Sequence, residues 1–153
     1  MLNETNEERD ERFMLMALDE ARVAAEEGEV PVGAVVVCNG RVIARTHNLT
    51  ERLRDVTAHA EMQAITAAAD NLNGKYLTDC TIYVTLEPCP MCAAALRWAQ
   101  IGRVVYGASD PKQGYRTAFA DPDRAFHPKT EVTTGIIADE CREVMQSFFR
   151  RRR

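Results

Sequence analysis

The sequence predicts an α/β fold built on a mixed sheet, and three observations carry that prediction. Apolar, β-rich stretches of strand length lie at 31–38, 41–46, 81–86 and 103–106, with a weaker fifth at 131–134. Asn39-Gly40, between the first two, is the strongest two-residue hairpin signal, so those strands are antiparallel. Helical patterns fill the gaps around the later strands, which then need crossover connections and layered packing.

In chain order, residues 1–6 read as disordered. From 7 to 27, Met14, Ala17, Leu18, Ala21 and Ala25 recur at helical spacing, and Gly28 supplies a stop. The 31–38 run is nearly continuous in apolar residues, the pattern of a strand buried on both faces. A polar loop at 47–56 carries Asn48, Arg52 and Arg54. Thr57 suits the N-cap of an alanine-rich helix reaching about residue 70, followed by a turn-rich loop at 71–79. Strand 81–86 ends at Glu87-Pro88, and Pro90 fits the first turn of a helix reaching about residue 100. Residues 107–129 show no clear periodicity and hold Pro111, Pro122 and Pro128. An amphipathic helix from 138 closes on Arg150-Arg151-Arg152-Arg153. No repeat or low-complexity linker divides the chain, so 1–153 reads as a single domain.

At 153 residues the chain can bury a real core without cross-links. No apolar run approaches membrane-spanning length, and the polar, acidic N-terminus shows no secretory signal. Five cysteines without a signal peptide argue for a reducing cytoplasm, with Cys38, Cys80 and Cys141 as buried thiols. The net charge of −4 is uneven: residues 1–29 carry ten acidic and three basic side chains, and the remainder is net positive. Binding to phosphates depends on such patches rather than on the total.

The chemistry concentrates in Thr57-Ala58-His59-Ala60-Glu61 and Leu86-Glu87-Pro88-Cys89-Pro90-Met91-Cys92. Cys89 and Cys92, three apart at a helix start, share one face, and the helix dipole favours the metal-binding thiolate. With His59 they make three ligands for Zn²⁺ and leave a fourth position open, the pattern of a catalytic rather than a structural zinc. Glu61 then serves as a proton carrier beside the metal. Taken alone, Cys-x-x-Cys also fits half of a four-ligand structural site or a redox pair. A fourth ligand would have to come from His47, His127, Cys38, Cys80 or Cys141, none spaced as a second pair. A redox pair leaves His59 and Glu61 without a purpose.

Beyond these motifs, Glu29-Val30-Pro31-Val32-Gly33-Ala34, Asn48, the Tyr83–Cys89 stretch, residues 101–108 and residues 135–141 extend a pattern over roughly 10–153. The chain resembles the bacterial tRNA-specific adenosine deaminases of the cytidine deaminase-like superfamily. That resemblance implies a five-stranded sheet between helices in three layers, a homodimer, and conversion of the wobble adenosine of a tRNA anticodon stem-loop to inosine. It gives His59, Cys89 and Cys92 as ligands of one zinc and Glu61 as proton shuttle. It also gives Asn48 as a polar contact to the flipped nucleoside, Ala60 as pocket backbone and Val30 as pocket wall.

After Asp110-Pro111-Lys112-Gln113-Gly114 many members of that family continue with small residues, whereas this chain reads Tyr115-Arg116-Thr117-Ala118-Phe119. Phe148-Phe149-Arg150 resembles the closing helix that faces tRNA in the family. Arg45, Arg52 and Arg54 are expected to add positive charge at the pocket mouth. Two other readings compete. One is a deaminase of free guanine, cytosine or a nucleoside with the same zinc chemistry. The other is a zinc-stabilised RNA-binding module without catalysis, for which Glu61 has no use.

Overall fold

In the computed structural model, which describes residues 3–152, the strands are β1 (Gly33–Cys38), β2 (Arg41–His47), β3 (Cys80–Leu86), β4 (Arg103–Ala108) and β5 (Glu131–Thr134). They form one sheet in the order β2-β1-β3-β4-β5. β1 runs antiparallel to both neighbours, while β3, β4 and β5 are parallel. The helices are α1 (Asn6–Glu26), α2 (Thr50–Leu53), α3 (Ala60–Leu72), α4 (Pro90–Trp98), α5 (Tyr115–Ala118) and α6 (Ala138–Arg151).

Side chains alternate across the pleat, so the apolar strands feed two cores. Val35, Val37, Tyr83 and Val105 pack with Phe13, Met14 and Leu18 of α1 and Cys141 of α6. Ala34, Val36, Ile82, Val84 and Val104 point the other way, against Ala64 and Ala68 of α3 and Leu96 of α4. The result is the expected three-layer α/β arrangement with a mixed five-stranded sheet between helices. Gly33 lets α1 approach the sheet, because a Cβ there would collide with the Ala17 carbonyl. A buried clamp fastens the same helix: Asp10 accepts 2.8 and 2.7 Å hydrogen bonds from Arg103 and a 2.7 Å bond from the Tyr83 hydroxyl.

Several boundaries differ from expectation for identifiable reasons. Helix α1 begins at Asn6 because Thr5 and Glu8 form a capping box, a Thr-x-x-Glu signature that starts inside the 1–6 stretch expected to be disordered. Met1 and Leu2 lie outside the described residues. Thr57 does not cap α3; its N–H and hydroxyl both bond Asp55 Oδ1, and His59 takes the N-cap position. The 47–56 loop contains α2, and the aperiodic 107–129 stretch contains α5 and a 3₁₀ turn at Pro122–Arg124. Tyr115, part of the unusual 115–119 segment, is buried against Tyr106 and Phe126, so this departure fills the core. Cys80 and Cys141 are buried, Cys38 is half-buried, and all three are free thiols.

Candidate active site and metal centre

Two helix N-termini meet at one end of the sheet. Leaving β3, the chain passes Glu87-Pro88 and places Cys89 at the N-cap of α4, with Pro90 at the first helical position and Cys92 two residues further. His59 holds the N-cap of α3 in extended backbone conformation. Its Nδ1 lies 3.6 Å from Cys89 Sγ and 3.5 Å from Cys92 Sγ. The three ligand atoms lie within 4.8 Å of one another.

These spacings fit zinc. Bonds of about 2.3 Å to sulfur and about 2.05 Å to nitrogen, meeting at the tetrahedral angle, set S and N about 3.6 Å apart. The donor set of two thiols and one imidazole is also the soft set that zinc prefers.

The three groups shift one another's proton affinity. The Cys89 thiol is held down to about 4, chiefly because Cys92 donates to its sulfur; burial opposes this and His59 adds to it. Cys92 is driven upward by the same hydrogen bond and by burial. The hydrogen bond to Cys89 raises His59, against burial.

Glu61, in the first turn of α3, is 3 % exposed and stands outside the ligand group. Burial pushes its carboxyl up to about 7; its own backbone N–H opposes the rise, and the Cys89 charge adds to it. A buried carboxyl beside the metal position has the chemistry to take and give a proton.

A cavity of about 1140 Å³ opens over these groups, and Val30, Asn48, His59, Ala60, Glu61 and Cys89 all line it. Six of the seven predicted site residues therefore face one space; the seventh, Cys92, is fully buried behind them and does not line the cavity. Asn48 is 5 % exposed, and its Nδ2 donates to Thr50 Oγ1 at 3.3 Å. Its Oδ1 is buried and has no hydrogen-bond partner among the described residues. The Ala60 carbonyl accepts from Thr46 Oγ1 at 2.7 Å.

The positive charge around the cavity differs from expectation. Arg45 pairs with Glu20, and neither it nor Arg52 and Arg54 lines the cavity; the lining cations are Lys112, Arg142, Arg150 and Arg152. Arg142 was legible in principle, since it shares a helical face with Gln146, Phe149 and Arg150 at spacings of four, seven and eight. The arginine tail divides. Arg150 pairs with Glu143, while Arg152 donates to the Gly28 carbonyl at 2.7 Å and stacks on Phe148. Arg153 lies outside the described residues.

Residues 7–108 match the cytidine and deoxycytidylate deaminase zinc-binding region. A tRNA-specific adenosine deaminase of Agrobacterium fabrum is 48% identical over 145 residues, covering 92% of this chain and 94% of its own. One of Bacillus subtilis is 45% identical, covering 92% and 89%. A solved structure from work on A-to-I editing by tRNA:A34 deaminases at the wobble position superposes with TM-score 0.80 at 47% identity, over 87% of this chain and 98% of that one. Guanine deaminase from Bacillus subtilis superposes with TM-score 0.63 at 37% identity, over 71% of this chain and 66% of that one.

Proposed function

Because the chain belongs to the cytidine and deoxycytidylate deaminase zinc-binding family, we propose that it converts the wobble adenosine of a tRNA anticodon to inosine by zinc-dependent hydrolytic deamination. The observation that carries this reading is a cavity with a metal triad and a buried amide oxygen that has no partner among the described residues, lined also by four cations, Lys112, Arg142, Arg150 and Arg152. A free base offers those cations nothing, whereas an anticodon loop offers phosphates and bases already unstacked.

His59, Cys89 and Cys92 hold the metal, which when bound there supplies a nucleophile from water at neutral pH. Glu61 takes the proton that water gives up, delivers one to purine N1, and moves one to the amine leaving C6. Adenosine and water thus become inosine and ammonia. Asn48 Oδ1 finds its missing donor on the flipped nucleoside, the Ala60 N–H adds a second polar contact, and Val30 packs against the base.

The guanine deaminase similarity supports one alternative, a free nucleobase substrate with the same chemistry. Purified zinc-loaded protein should form inosine in an anticodon stem-loop faster than it turns over free guanine, cytosine or adenosine. Faster turnover of a free base would replace the RNA reading with the alternative. The enzyme works with its substrate in the cytoplasm as a single domain, and among the described residues no helix is long and apolar enough to cross a membrane. It acts as a homodimer; Val56 and Trp98, 85% and 82% exposed, provide apolar surface for a second copy to cover.

A further inference from the structure

We propose that Glu87 is a positioning residue, holding the pocket wall made by residues 109–113 against the segment that carries Cys89; the inference rests on the deaminase reading above. Glu87 is 4 % exposed, and both its oxygens are occupied by backbone. Oε1 accepts the Asp110 N–H at 3.0 Å and Oε2 the Arg116 N–H at 3.0 Å. One carboxylate thereby closes a turn of seven residues.

The rest of that turn is arranged around the clamp. Asp110 Oδ1 accepts the N–H groups of Lys112 and Gln113, and its carbonyl accepts that of Gly114. Tyr115 donates its N–H to the Pro88 carbonyl at 2.9 Å. Gly114 lies so close to Glu87 that a Cβ would collide with the carboxylate. Glu87 is itself anchored, its N–H bonding the Ala108 carbonyl at 2.8 Å. The wall and the metal ligand two residues onward therefore belong to one fixed segment. Glu29, 1 % exposed, repeats the device on a second loop of the same pocket, accepting the N–H groups of Glu51 and Arg52 at 2.9 and 2.8 Å.

The clamp needs a carboxylate. A buried glutamine of the same shape has one oxygen for two N–H groups and turns its own N–H₂ toward the other. Losing one hydrogen bond to a charged acceptor is enough to shift a loop population about 10-fold or more. A loosened wall weakens ground-state and transition-state binding alike, so the change falls on KM rather than kcat.

The test compares Glu87→Gln with Gly114→Ala, which keeps the carboxylate but drives the loop away from it. In both zinc-loaded variants, amide exchange at Asp110 and Arg116 should accelerate by about 10-fold or more. KM for an anticodon stem-loop should rise by about 10-fold, with kcat within about threefold and one zinc per chain retained. Unchanged exchange, or faster exchange with an unchanged KM, overturns the proposal. Should Glu87→Gln not fold, Gly114→Ala decides by the same measurements. Wild-type protein inactive on the stem-loop would remove the substrate reading, and amide exchange would still judge the clamp.

Discussion

The Nδ1 of His59 lies 3.5 Å from Cys92 Sγ, although 33 residues separate them in the chain. The distance follows from two helices that each begin with a ligand, α3 at His59 and α4 at Cys89. Glu61, two residues past His59, is brought beside the metal position without joining it. The division predicts separable losses. Glu61→Ala should keep about one zinc per chain, by atomic absorption, and lose about 10²-fold or more in kcat. Cys89→Ala should lose zinc and melt at lower temperature, and chelation of wild-type protein should have the same effect. Loss of zinc from Glu61→Ala would make the carboxylate a ligand instead of a shuttle.

The cations that line the cavity make a second prediction. Lys112→Glu and Arg142→Glu should raise KM for a stem-loop and flatten its salt dependence, by about one unit of slope per lost phosphate contact. Arg52→Glu, on the exposed α2, should change both less. Equal effects at all three positions would mean that RNA reads the overall field of the protein and not the rim.

These two cases show what the sequence could convey. The zinc motif was legible because its residue types have no common structural use together, and all five strands were legible because β-branched runs and Asn39-Gly40 are local signals. The basic rim was not, because charge near a loop in sequence says little about which way a side chain points. Arg52 and Arg54 sit in the Asn48 loop yet do not line the cavity, while Arg142, ninety-four residues from Asn48, does. The roles of Glu29 and Glu87 were not legible, since a carboxylate satisfied by backbone N–H groups leaves no signature beyond its own identity.

Stability should depend on pH at two named points. Burial alone would raise Asp10, but hydrogen bonds from Arg103 and Tyr83 prevail and hold it below its ordinary value. Its contribution is full above the unfolded value of about 3.9 and fades as pH falls through the folded one. His47, in contact with Glu20 and Glu27 at 2.9 and 2.8 Å, is pushed down by burial and more strongly up by those two carboxylates. Its contribution is full below about pH 6.5 and is lost as pH rises through the elevated folded value. Asp10→Ala should cost about 3 kcal/mol at pH 7, lowering Tm by roughly 6–12 °C, and flatten the acid limb. His47→Gln should flatten only the neutral-to-alkaline limb. A wild-type melting profile level from pH 3 to 8 would contradict both assignments.

Trp98 sits in the last turn of α4, 82% exposed. If a second copy covers it, Trp98→Glu should run as a monomer in size-exclusion chromatography with light scattering, while wild-type protein runs as a dimer. A monomeric wild type at micromolar concentration would remove the homodimer.

Asn48 offers the most direct separation of function from stability. Its buried Oδ1 lacks a partner among the described residues, and an unsatisfied buried acceptor costs the folded state about 1–3 kcal/mol. A side chain kept despite that cost is expected to recover it on a ligand. Asn48→Leu retains the shape, removes the orphan oxygen, and gives up the 3.3 Å bond from Nδ2 to Thr50. Since that bond is long, the exchange should leave Tm unchanged or higher. On the proposed reading the same substitution also removes a polar contact to the substrate, so kcat/KM for the stem-loop should fall by about 10- to 100-fold. Loss of Tm together with activity would make Asn48 a structural loop residue, and unchanged kcat/KM would leave its oxygen with no ligand to meet.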